Sequence, residues 1–183
     1  FVQDRAGRVL GARFFIYFTA PGTAVHELGH ALFALLFGHQ ITEINLFSPQ
    51  PDGTLGYLGH RWNRQSIFQN IGRFFIGIGP LILGSFVIYL AARLTVGNQV
   101  FQPLSSLQIS PQTFSSLENL WTFCLQVYRN ALQVAGLLFN PDHLDNIWYF
   151  PFLYIVFAVG SHVKLSPPDL EGAWSGFTFL LAV

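Results

Sequence analysis

Four apolar stretches alternate with polar ones along the chain, and together they predict its elements. Residues 14–38 form the first. Fully helical, they would run about 37 Å, enough to cross the hydrocarbon core of a bilayer. Pro21-Gly22 interrupts this run. It predicts either a break that lines a wet cavity or a proline that starts a new helix, and both can hold. Gly38 ends the helix. Residues 67–96 form the second stretch, with Gly72, Gly77, Gly79-Pro80 and Gly84. Small residues let membrane helices approach closely, so this segment is predicted to pack against the first. Residues 147–163 form a third stretch, short for a span. Ser166-Pro167-Pro168-Asp169 opens a last helix.

The polar stretches read differently. Residues 1–13 carry Arg5, Arg8 and Arg13 and predict an interfacial arm. Between 41 and 62, two strand-like runs flank Pro51-Asp52-Gly53, a turn pattern that predicts a hairpin or an irregular loop. Residues 97–116 are rich in Ser, Gln and Pro and predict a loop outside the hydrocarbon. Residues 117–139 have helical period but carry Asn119, Gln126, Arg129, Asn130 and Gln133. They predict an amphipathic surface helix. The fold expected is an all-α integral membrane protein with three to four spanning helices, a hairpin-like loop and one amphipathic helix. It is expected to form a single core over 1–183. The chain opens Phe1-Val2-Gln3 and closes inside an apolar run, which reads as a piece of a longer protein.

Composition supports the membrane reading. The chain is 51% hydrophobic and 10% charged, against about 25% charged in soluble domains. Nine basic and nine acidic residues balance, so no basic surface for nucleic acid is expected. Arg5, Arg8, Arg13, Arg93 and Arg129 fall on one expected side, and Arg61, Arg64, Arg73 and Lys164 on the other. Orientation is therefore not given by the positive-inside rule. A single cysteine, Cys124, excludes an internal disulfide and a Cys-based zinc site.

Against that background one polar cluster stands out: His26-Glu27-Leu28-Gly29-His30, inside the first apolar stretch. Positions i and i+4 share a helix face, so both imidazoles can reach one zinc ion. Glu27, between them, suits a general base toward water rather than a ligand. Ionisable residues in an apolar segment are costly and are usually functional. A pair of core histidines is the plain alternative.

A catalytic zinc needs a third protein ligand. The soluble extended motif would place a histidine at position 36, which is Leu36. His39 reads better as a helix-end histidine. Following the segments across the membrane brings Asp169 to the side where His30 lies. Ser166 and Asp169 equally fit a helix start, with a serine cap and a carboxylate three residues on. Glu171 is the reserve. His162 is a candidate for orienting a ligand. Asn70 and Arg73 are candidates for stabilising an oxyanion, although interface anchoring suits them better. Asp142, His143 and Asp145 form a second metal-like cluster that a turn explains as well.

Taken in order, the HExxH in a membrane segment, the hairpin-like loop, Gly79-Pro80 and Pro167-Pro168-Asp169-Leu170-Glu171-Gly172 resemble the site-2 protease family of intramembrane zinc metalloproteases. Only the HExxH is specific. The family's third ligand is the Asp of a Leu-Asp-Gly element. This chain has Asp-Leu-Glu-Gly instead, so Asp169 and Glu171 compete, with Asp169 preferred because it directly follows the prolines. The resemblance implies a core of three spanning helices, Zn2+ held by His26, His30 and Asp169, and cleavage of membrane-spanning proteins or peptides within the bilayer. It also implies an active site near the cytosolic face. The hairpin at 41–62 is expected to pair with an unwound substrate segment. The competing function is a non-proteolytic membrane metal-binding or scaffold protein, and Glu27, which such a protein does not need, counts against it. A transporter would want charges in several spans.

Overall fold

The computed structural model describes residues 11–182. Most of the arm expected over residues 1–13, with Arg5 and Arg8, lies outside them. The described chain is mainly helical, with one two-stranded sheet. It divides into two compact units, one of residues up to Ile88 with those from Leu153 onward, the other Tyr89–Phe152.

In the first unit, the first apolar stretch forms two helices, α1 (Ala12–Phe18) and α2 (Ala20–Leu36). The break falls at Thr19, whose hydroxyl donates to the Phe15 carbonyl at 2.9 Å. Pro21 lies in the first turn of α2, where its missing N–H has no helical partner to lose. The helix-start expectation for Pro21 holds, while the break itself is buried at Thr19 and does not line the cavity. Gly38 closes α2 at φ +70, and the His39 N–H donates back to the Ala34 carbonyl at 2.8 Å.

Helix α2 is inside-out compared with a soluble helix. Its polar residues Thr23, Glu27 and His30 are buried, while Leu28, Leu32, Leu35 and Leu36 are exposed. A leucine face left open with carboxylate and imidazole turned inward suits lipid, not water, as the outer solvent.

Strands β1 (Gln40–Asn45) and β2 (Tyr57–Arg61) pair antiparallel, with Gln40 opposite Arg61 and Asn45 opposite Tyr57 and an irregularity between Ile41 and Glu43. The expected turn closes them. The Gly53 N–H donates to the Gln50 carbonyl at 3.0 Å, and the Asp52 carboxylate accepts from the Thr54 N–H at 2.9 Å.

Helix α3 (Ile67–Thr95) has 29 residues and contains Pro80. Among the described residues it is the one helix long and apolar enough to cross a membrane by length and composition. Helix α5 (Tyr149–Gly160; α4 belongs to the second unit) is apolar but has only 12 residues. Helix α6 (Pro167–Ala182) follows. Two glycines of this unit let the helices that carry the site approach closely. A Cβ at Gly29 would fall 2.6 Å from Pro80 Cα, which presses α2 onto α3. A Cβ at Gly77 would fall 2.5 Å from the Asp169 carbonyl oxygen, so α3 leaves room for the start of α6.

The second unit is built on α4 (Leu117–Leu138), capped by the Ser116 side chain accepting from the Asn119 N–H at 3.1 Å. Buried Asn130 donates to the Pro103 carbonyl at 2.6 Å and to Ser106 Oγ at 2.9 Å. These bonds fasten the preceding 3-10 segment, Asn98–Ser106, to the helix. Leu117, Trp121, Tyr128 and Leu132 stay exposed.

Candidate metal centre

His26 and His30 stand one helical turn apart on the buried face of α2, as the i, i+4 spacing requires. Their Nε2 atoms lie 3.2 Å from each other. Asp169, in the first turn of α6, brings Oδ1 to 3.1 Å from His30 Nε2 and Oδ2 to 3.5 Å from His26 Nε2. Among the described residues these three form the one group of histidine, cysteine or acidic side chains whose donor atoms converge closely enough for a metal ion.

The far ring nitrogens decide what the converging atoms offer. His26 Nδ1 donates to the carbonyl of His162 at 2.8 Å, and His30 Nδ1 donates to the carbonyl of Ile76 at 2.7 Å. A carbonyl only accepts, so each ring carries its proton on Nδ1. In the neutral rings each Nε2 is then left with a lone pair directed at the other and at a carboxylate. Lone pairs and a carboxylate at such distances repel unless a proton or a metal cation lies among them. Two neutral imidazoles and one carboxylate are also a set that a catalytic zinc takes, with a further position left for water. The donor set fits Zn2+.

Asp169 does two things at once. Its Oδ2 also accepts from the Ser166 N–H at 2.7 Å, and Ser166 Oγ accepts from the Asp169 N–H at 3.4 Å. The helix-start reading of this residue is realised, and the same carboxylate also faces the two histidines. Glu171 lines the same cavity but is exposed and stays outside the converging group. Glu27 is buried beside the two histidines and also lines the cavity, which measures about 1220 Å³.

The other candidates separate. His162 meets His26 through its backbone carbonyl, while its ring Nδ1 donates to the Ala158 carbonyl at 3.1 Å. Arg73 lines the cavity, stacked 4.7 Å over the Trp62 ring. Asn70 instead donates to the carbonyls of Arg64 and Ser66. His39 is buried away from the centre, bonded to the Gln69 carbonyl at 2.8 Å and to His60 at 2.9 Å. Asp142, His143 and Asp145 lie in a 3-10 turn of the second unit and form no converging group. Sequence reasoning missed Ile76, because a backbone carbonyl carries no residue signature. It also missed the place of His60 and Trp62 in the cavity wall, which alternation along β2 would have suggested.

Residues 8–158 match the family described as Peptidase M50B-like. The chain belongs to that family. Peptidase M50B-like proteins are site-2 protease relatives and membrane-embedded peptidases, which agrees with the resemblance carried by the HExxH stretch. The matched residues include His26, Glu27 and His30 and stop before Asp169, so the third member of the group rests on geometry alone. No curated protein and no solved structure matches the chain.

Proposed function

We propose that this chain is an intramembrane zinc metalloendopeptidase that hydrolyses peptide bonds of membrane-spanning substrates. One observation carries the reading. Both imidazoles are locked with their protons turned away, and their free Nε2 atoms face one carboxylate 3.1 and 3.5 Å off. In this reading His26, His30 and Asp169 hold Zn2+, which supplies Lewis acidity toward the scissile carbonyl and toward water.

The protein's own residues do the rest. Glu27, not a ligand, takes a proton from the attacking water and returns it to the leaving amine. The apolar wall of the cavity, from Ile76, Val156, Phe157 and Leu165, limits the water that reaches the centre. The open leucine face of α2 supports a lipid environment, with three to four helices crossing the bilayer. No nucleic acid enters the reaction.

The test is Glu27→Gln. It is expected to keep stoichiometric zinc and to slow cleavage of a membrane-spanning reporter by roughly a hundred- to ten-thousand-fold. A Glu27→Gln protein that cleaves as fast as the parent defeats the peptidase reading and leaves the metal-binding scaffold.

A further inference from the structure

The carbonyl that orients His30 belongs to Ile76, in the interior of α3. Inside an α-helix each carbonyl is ordinarily taken by the N–H four residues on. Four residues after Ile76 stands Pro80, which has no N–H to give. Ile76 is itself buried, at 5% exposure, in a helix long and apolar enough to span a membrane. A carbonyl freed there needs another donor, because an unpaired one is costly in an apolar interior. His30 Nδ1 is that donor, at 2.7 Å.

We propose that Pro80 is a positioning residue for the metal centre. By withholding an N–H from the Ile76 carbonyl, it keeps an acceptor open that fixes the His30 proton on Nδ1 and turns Nε2 toward His26 and Asp169. The same proline also sets the distance. Its backbone meets Gly29, where a Cβ would fall 2.6 Å from both the nitrogen and Cα of Pro80, one residue before His30. The imidazole thus reaches across the helix contact to a carbonyl one turn back along α3. His26 has a counterpart. Its acceptor, the His162 carbonyl, lies just beyond the end of α5 at Gly160, where helical partners also run out. Both orienting acceptors are therefore carbonyls that helix geometry leaves open, one by a terminus and one by a proline.

This inference rests on His30 serving as a ligand. Pro80→Ala restores the missing N–H, which competes for the Ile76 carbonyl, and Pro80→Gly does so without a side chain. Two readouts apply: zinc affinity by chelator competition, and ring 15N shifts of His30 in the metal-free protein, which tell which nitrogen bears the proton. Both variants are expected to bind zinc about 10- to 100-fold more weakly, the usual cost of losing a partner that orients a ligand. The His30 proton is expected to shift from Nδ1 toward an Nδ1/Nε2 mixture, with no loss of thermal stability in the metal-free protein. If either variant folds, binds zinc as the parent does and keeps the proton on Nδ1, the inference is overturned. If both variants melt well below the parent, Pro80 is a packing residue and the inference is likewise overturned. Full zinc in His30→Ala would instead overturn the ligand reading, a separate outcome.

Discussion

Two pairs of histidines lie in the same unit at nearly the same spacing. His26 and His30 bring their Nε2 atoms to 3.2 Å, and His39 and His60 bring their Nδ1 atoms to 2.9 Å. What differs is where the protons are. In the second pair, His39 Nε2 donates to the Gln69 carbonyl. Its Nδ1 is then an acceptor, and His60 Nδ1 donates to it. The two rings satisfy each other and tie the end of α2 to β2. In the first pair, both Nδ1 protons go to carbonyls, so in the neutral rings the facing nitrogens are both acceptors, with a carboxylate as the third member. Histidine proximity alone does not make a metal centre. The direction of the second hydrogen bond on each ring, and the presence of an anion, separate a clip from a cation site.

The largest expected effect breaks the comparison most directly. His26→Ala is expected to strip zinc from the protein, because two remaining ligands hold it poorly. His39→Ala is expected to keep zinc at one per chain while costing about 1–3 kcal/mol of stability from the groups left unpaired. Metal analysis and melting on the two variants decide it, and zinc retained in His26→Ala would sink the site. Next in size, Asp169→Ala is expected to weaken zinc binding and Glu171→Ala to leave it unchanged. The reverse result would move the third ligand to Glu171.

A smaller effect lies in acid. Burial, with His39, His30 and Arg73 nearby, pushes His60 down to about 4, and burial also lowers His39. An unfolded chain protonates histidine near 6.5. Between those values the unfolded state binds the proton and the folded state does not, so stability falls as pH drops from about 6.5 toward 4. Above 6.5 this contribution is constant. Melting temperatures across that window should show a shallower fall in His60→Asn than in the parent. An equal slope in both would remove His60 as the cause. The smallest effect is a control outside both pairs. A short tag inserted at Gly53, an exposed turn tip at φ +91, should leave zinc and folding intact. The same tag at Gly77, against the Asp169 backbone, should abolish both.

Much of this was legible in the sequence because it depends on local spacing. The i, i+4 histidines, the Pro-Asp-Gly turn, the Gly38 stop and the Ser166 start all obey rules that a few neighbouring residues decide. The place of Asp169 was not legible by spacing, because its carboxylate satisfies a helix cap and a cluster position at once. The number of spans was not legible either. The first apolar stretch breaks at Thr19, and α5 is shorter than a bilayer core, so length alone does not count crossings. The tautomers were out of reach, since backbone carbonyls of α3 and of the turn just beyond α5 set them across the fold.

The double engagement of Asp169 links two equilibria. One oxygen holds the first turn of α6 through the Ser166 N–H, and the same carboxylate faces the histidines of α2. A cation drawn to that carboxylate also favours the wound start of α6, and by reciprocity a strain that unwinds this turn lowers the affinity for the cation. The last helix is in that sense a lever on the centre. In the proposed reading, a change confined to the first turn of α6 would reach the centre without touching either histidine.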